Sequence, residues 1–361
     1  MLQLVARARV LGISLALATS GVAVPTASSA LASEPGSGTT WHVQAGNFDN
    51  APPNLTQEIT TFYPARISVH PGDTVQFSAA GGHTVTFNRF LPSPGPPAFF
   101  LGNNMVTGNT LTAANHTPGG AMLNSGGFGQ PSGPGPIIAP AFTLQIGADA
   151  AGSSPRGTTY KFLCAFHRNM SGTITVLPAA KRLPTTDAQN QAIAAWARAA
   201  DLARGQRALA RANRDVEDNQ VLGSIGVNSV QGLGVTDILR FAPQSIQITA
   251  GESVTWVNKD PNAPHTVTFG EEKVFPAPPG IVPYGGPAIT STSDQANSGF
   301  LISPELVSYL NLGSLFPAGV RQSVTYSFPN PGTYHYICAL HDQLGMVGTV
   351  VVRPSDSGGD D

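Results

Sequence analysis

The sequence predicts an all-β chain: two tandem β-sandwiches joined by a long helical linker. Three observations predict it. Gly and Pro number 40 and 31 in 361 residues, an excess that suits turns and long loops better than helix bundles. A strand–turn–strand pattern ending in the pentapeptide His-Thr-Val-Thr-Phe occurs twice, with its strands 179 residues apart. Between the copies lies one Ala-rich stretch of a different kind.

The chain is long enough for two domains, and its 41% hydrophobic content can fill two cores. Only 11% of residues are charged and the net charge is −2, which points to neither a nucleic-acid nor a membrane-surface partner. Residues 1–32 read as an export signal. Arg7 and Arg9 form a positive start, Val10 to Val24 is apolar with small residues, and Ala30-Leu-Ala32 is a small-x-small cleavage site. Cleavage there leaves 17 basic against 21 acidic residues, a net −4. The segment is short for a membrane span, and no later stretch is long and apolar enough to be one. The mature chain is therefore expected to be secreted or periplasmic.

The first domain is expected over 40–178. Trp41-His-Val-Gln-Ala reads as its opening strand. In Phe62 to Phe77, Ile67 and Val69 alternate with polar residues, Pro71-Gly72 makes a turn, and Val75 and Phe77 resume the alternation. The second domain, 222–354, repeats this: Ile246 matches Ile67, Gly251 matches Gly72, Val254 matches Val75, and Trp256 matches Phe77. The pattern suits two independent β domains better than a repeat array. After the pentapeptides, at 83–87 and 265–269, each copy carries a long Gly/Pro-rich excursion, over roughly 88–141 and 270–318. These are either decoration copied by duplication or covers for a functional end.

The linker, 181–220, opens with the capping box Thr186-Asp-Ala-Gln189 and predicts one helix of about thirty residues. Arg204, Arg207, Arg211 and Arg214 share one face, read as solvated rather than as a dock for an acidic partner. The tail, 355–361, is acidic and expected to be disordered.

Each copy ends in a loop rich in metal-binding side chains: Cys164-Ala-Phe-His167-Arg-Asn-Met170 and Cys338-Ala-Leu-His341-Asp-Gln-Leu-Gly-Met346. A strand-like run precedes each loop and another follows it. Two cysteines in an exported chain commonly form a disulfide, but equivalent positions in a repeat are odd partners for one bridge. A thiolate and two imidazoles with a weak axial thioether suit copper that cycles between Cu(I) and Cu(II). The pentapeptides supply the missing imidazole. The expected metal ligands are therefore His83, Cys164, His167 and Met170 in the first copy, and His265, Cys338, His341 and Met346 in the second. His42, His70, His116 and His335 are left as non-ligands; His335 lies three residues before Cys338 on a strand and points the opposite way.

Pro264-His-Thr-Val-Thr-Phe, Tyr334-His-Tyr-Ile-Cys-Ala-Leu-His and the four-residue gap to Met346 resemble the cupredoxin family of plastocyanin- and azurin-like blue copper proteins. The second copy is plastocyanin-like, and the shorter Cys-x2-His-x2-Met loop of the first is closer to the amicyanin pattern. The resemblance covers most of both domains but neither the helix nor the excursions. It implies Greek-key β-sandwiches, one type 1 copper held near one end of each, and an exported electron carrier. It also implies that His167 and His341 lie near the surface, where Phe166 and Leu340 form an apolar docking patch for redox protein partners. Gly81-Gly82 stands before His83 where Pro264 stands before His265, so the approach to the first site differs. Unequal Cys-to-Met loops predict unequal potentials, with one site receiving electrons and the other passing them on.

Two other functions compete. A multicopper-oxidase-like or nitrite-reductase-like enzyme needs further histidines, but the chain has no His-x-His, and Leu163 and Ile337 stand directly before the cysteines. A filled four-ligand site also leaves no open coordination position. Copper storage or delivery predicts Met- or His-rich surface tracts, which the chain lacks.

Overall fold

The computed structural model describes residues 38–49, 57–79, 82–88, 106–116, 119–129, 139–270, 283–310 and 320–355. Residues 1–32, read above as an export signal, much of both excursions and the tail beyond 355 lie outside the described residues. Among the described residues no helix is long and apolar enough to cross a membrane.

Strands dominate, and each copy forms a sandwich lobe. One face of the first lobe is a five-stranded sheet in the order Arg66–Val69, Ser171–Val176, Thr158–Leu163, Thr86–Phe87, Leu123–Asn124. The second lobe has its counterpart in Ser245–Thr249, Val347–Arg353, Gly332–Ile337, Thr268–Phe269, Ala296–Asn297. The matched positions keep matched registers: Ile67 pairs with Ile174, and Ile246 with Val350. Alternation turns every second side chain inward. Phe77 and its counterpart Trp256 are fully buried, packing edge-on against Phe162 at 5.6 Å and Tyr336 at 5.1 Å. Burying one such side chain is worth about 1.5–3 kcal/mol. The turns before these strands place Gly72 at φ +89° and Gly251 at φ +95°, a conformation that glycine adopts without steric cost.

The opposing face is shared. Among the described residues nine strands make one sheet, in the order Ser323–Ser327, Ser253–Lys259, Gln220–Asn228, Val235–Ile238, Gln57–Tyr63, Thr40–Asp49, Thr74–Ala79, Ala141–Ile146, Thr110–Leu111. The expected independence of the two domains therefore does not hold at this face. The Val235–Ile238 strand of the second lobe lies antiparallel to Gln57–Tyr63 of the first, with Val235 opposite Thr60 and Asp237 opposite Glu58. Left alone, each would present a row of unpaired backbone N–H and C=O groups. Pairing with each other satisfies both.

The helix α1 (Asp187–Asp215) begins where the capping box places it. Thr186 Oγ1 accepts from the Gln189 N–H at 3.3 Å, and Gln189 Oε1 accepts from the Thr186 N–H at 2.9 Å. It lies across the junction instead of spanning a gap, touching the Gln57–Tyr63, Gln220–Asn228 and Val235–Ile238 strands. Its buried stripe is small and partly polar: Asn190, Ala194, Ala197, Asp201, Gly205 and Leu209. Small residues let helix and sheet come close. The large Trp196 faces solvent at 66% exposure, as do all four arginines of the predicted solvated face. Asp201 is tied down by Tyr63 Oη at 2.5 Å, Ser229 Oγ at 2.7 Å and the Val230 N–H at 2.7 Å, so a buried carboxylate fixes the helix to both lobes.

Candidate metal centres

Each centre is built by the same local device. A long strand, Thr158–Leu163 or Gly332–Ile337, delivers a cysteine just past its end. The loop that follows closes on itself: the Cys164 N–H donates to the Met170 carbonyl at 3.0 Å, and the Cys338 N–H to the Met346 carbonyl at 3.0 Å. The two extra residues of the second loop are taken up by a short 3-10 turn at Asp342–Leu344 that ends on Gly345 at φ +88°. The other histidine comes from the pentapeptide on the far side. The residue after it, Thr84 or Thr266, holds the sulfur in place. Its N–H points at Sγ from 3.4 Å in both centres, and its Oγ1 accepts from the N–H after the cysteine at 2.7 and 2.8 Å.

Six of the eight side chains that the sequence singled out converge, as two His–Cys–His clusters. Cys164 Sγ lies 3.8 Å from His83 Nδ1 and 3.3 Å from His167 Nδ1. Cys338 Sγ lies 3.6 Å from His265 Nδ1 and 3.4 Å from His341 Nδ1, and the two Nδ1 atoms are 3.2 Å apart. The paired imidazole centroids are 4.8 Å apart in both centres, with interplanar angles of 50° and 53°. Met170 and Met346 are fully buried in the two lobe cores that hold these cysteines. The histidines set aside lie elsewhere: His42 on Asp187, His70 on the Lys181 carbonyl, His116 against Tyr160, and His335 exposed beside Thr349.

Nitrogen and sulfur donors 3.2–3.8 Å apart can share one ion at bond lengths of about 2.0–2.3 Å, and the soft thiol, imidazole and thioether set suits copper.

The electrostatics differ between the centres. Burial pushes the Cys164 thiol up, against hydrogen bonds from Thr84, Phe166 and His167, and burial pushes His167 down to about 4. In the second centre burial opposes ionisation too, but the charge of His341 and the bond from His265 outweigh it and hold the Cys338 thiol well below its ordinary value. His265 is correspondingly raised to about 9: burial disfavours its charge, and the hydrogen bond to Asp260 and the Cys338 sulfur more than restore it.

Three residues at the centres carry no ligand motif. Asp260 Oδ2 lies 2.9 Å from His265 Nε2, both fully buried. Glu58, on the junction strand, lies 3.7 Å from His167 Nε2. Burial raises Glu58 to about 7; the charges of His341 and His265 pull it down and that of Asp260 pushes it up. Tyr309, on the short helix α2 (Pro304–Leu310) of the second lobe, reaches the first centre's loop. One sequence signal could have found Asp260: eight residues lie between Trp256 and His265 but five between Phe77 and His83, and Asp260 lies in the longer approach. Both loop histidines are half-buried: His167 keeps 14% of its side chain exposed, with Glu58 of the shared sheet beside it. Phe166 and Leu340 are half-buried against their own lobe cores.

The copper-binding plastocyanin/azurin family model matches residues 228–353. A plastocyanin from Scenedesmus fuscus is 34% identical over 115 residues, which span 32% of this chain and 88% of that protein. A chloroplastic plastocyanin from Physcomitrium patens is 31% identical over 132 residues, covering 37% of this chain and 61% of the relative's length. The solved amicyanin from Paracoccus versutus matches at 21% identity and a TM-score of 0.21, over 39% of this chain and 88% of that one. The chain belongs to the plastocyanin/azurin family of copper-binding proteins.

Proposed function

We propose that the chain is an exported blue copper protein with two mononuclear type 1 sites, carrying electrons between redox proteins and catalysing no reaction of its own. The first site uses His83, Cys164, His167 and Met170; the second uses His265, Cys338, His341 and Met346. The observation that carries this reading is the geometric likeness of two separate His–Cys–His clusters, each with all three ligand atoms within 4.8 Å of one another. When bound, copper supplies one-electron cycling between Cu(I) and Cu(II). The chain's part is to hold the donors still. The N–H groups of Thr84 and Thr266 fix the sulfurs, and the Cys–Met backbone bonds close the loops. Little has to rearrange when an electron arrives. Partners dock where Phe166 and Leu340 reach the surface beside His167 and His341. Residues 1–32 are removed on export, and the two copies, 40–178 and 222–354, act as the paired carrier units.

The test is copper stoichiometry with visible absorption and electron paramagnetic resonance on the mature protein. Two coppers per chain with intense thiolate charge-transfer colour are expected. Cys164→Ser and Cys338→Ser each remove one centre, and the double variant is colourless. Colour that survives the double variant, or a wild-type chain that takes up exchangeable colourless copper, overturns the reading. Mature protein that begins elsewhere than Ser33 overturns the cleavage site.

A further inference from the structure

We propose that Asp260 is a positioning carboxylate for His265 and sets the second centre at the lower potential. The inference rests on the copper reading above and deepens it. Asp260 reaches His265 through the part of the approach that is three residues longer in the second copy. Its carboxylate is fully committed. Oδ1 accepts from the N–H groups of Asn262 at 2.8 Å and Ala263 at 3.0 Å. Oδ2 faces His265 Nε2 at 2.9 Å and Ser224 Oγ at 3.0 Å. Its own N–H donates to Asn258 Oδ1 at 2.8 Å. A carboxylate held at so many points cannot swing away from the imidazole.

The chemistry follows from where the two ring nitrogens point. His265 Nδ1 faces the Cys338 sulfur, and Nε2 gives its hydrogen to Asp260. An imidazole that donates to a buried carboxylate becomes a more basic ligand. A more basic ligand favours Cu(II) over Cu(I) and lowers the potential. The neighbouring acid does not share this duty: Asp237 is raised well above the ordinary carboxylate range by burial and by the charge of Asp260. In the first centre, the backbone of Gly46 packs against His83 Nε2, where an added Cβ would sit 2.1 Å away. With copper held by both ligand sets, the second centre would be the one-electron donor and the first the acceptor, one oxidised as the other is reduced, with no bond or proton changing hands.

The test compares both potentials by redox titration with paramagnetic resonance in the wild type, Asp260→Asn and Ser224→Ala. In the wild type the second centre is expected to have the lower potential. Asp260→Asn keeps shape but not charge. It is expected to shift the Cu(II)-to-Cu(I) affinity ratio of the second centre by about tenfold, a rise of about 59 mV for one electron, and to leave the first centre in place. Ser224→Ala removes a hydroxyl whose one hydrogen is shared between Oδ2 at 3.0 Å and the Ile238 carbonyl at 2.8 Å, so it is expected to move the second potential the opposite way by a smaller amount, and it serves if Asp260→Asn fails to fold. An unmoved second potential in both variants, or an equal shift at both centres, overturns the proposal. The metal-free protein gives an independent readout: a slowly exchanging, downfield His265 Nε2 proton by NMR, lost in Asp260→Asn. A wild-type chain without blue copper at the second centre overturns both readings. The NMR signal then tells that failure apart from a missing Asp260–His265 bond.

Discussion

Tyr309 of the second lobe donates its hydroxyl hydrogen to the carbonyl of Cys164 in the first, at 2.9 Å, and lies 3.4 Å from the carbonyl of His167. One lobe thus braces the ligand loop of the other. Tyr309→Phe removes that brace at a cost of about 1 kcal/mol. The expected result is a changed copper hyperfine splitting at the first centre alone, read in a Cys338→Ser background. An unchanged first-centre spectrum counts against the brace.

Gly234 tests the shared sheet. A Cβ there would lie 1.8 Å from Thr61 Oγ1 and 2.4 Å from the backbone carbonyl of Thr60. The carbonyl belongs to the partner strand and cannot yield without opening the pairing. Gly234→Ala is expected to cost about 1–3 kcal/mol, seen as a lower denaturant midpoint. Wild-type stability in this variant would mean that the junction strands do not bind the lobes together.

Gly46 tests the first centre. It has φ +67°, and a Cβ would come within 2.1 Å of His83 Nε2. Gly46→Ala should displace that imidazole. Metal analysis is expected to find bound copper falling from two per chain to one, with the colour of the second centre intact. Loss of both centres would instead point to general misfolding.

Alkaline stability follows from buried phenols. Burial raises Tyr160 and Tyr326 to about 12, and raises Tyr63 further with help from the charge of Asp201. An unfolded tyrosine loses its proton near pH 10. Above that pH the unfolded chain holds fewer protons than the folded one, so stability falls as pH rises from about 10 towards 12. In the metal-free protein, the phenolate absorbance of these residues should appear together with loss of circular dichroism. Full ionisation near pH 10 with the fold intact would contradict it.

The two His–Cys–His clusters were legible because each copy vouched for the other: the order His, Cys, His, Met recurs within matched strand patterns. The helix start was legible from Thr186 and Gln189, whose reciprocal bonds need no tertiary partner. The junction was not. Gln57–Tyr63 and Val235–Ile238 are buried along almost their whole lengths, yet they carry the polar residues Glu58, Thr60, Thr236 and Asp237, which no apolar alternation marks as buried. Periodicity reports burial only when the buried residues are apolar. Here Asn262 Nδ2 reaches Thr60 Oγ1 and Asp237 Oδ2, each at 3.1 Å, and that network is visible only once the lobes meet. The same reason hid Asp260. The helix misleads in the other direction, because its buried face is alanine and glycine while its tryptophan is exposed.

The pairing of Thr60 with Val235 spans 175 positions of chain. At a synthesis rate of about 5–20 residues per second, the Gln57–Tyr63 edge waits on the order of 10–35 seconds for its partner. For that time the first half is an open-edged intermediate, able to pair with a neighbouring copy of itself. A gene fragment ending before the second repeat would make the wait permanent. The two His–Cys–His clusters of this chain thus come with a nascent state whose open edge waits for the second lobe.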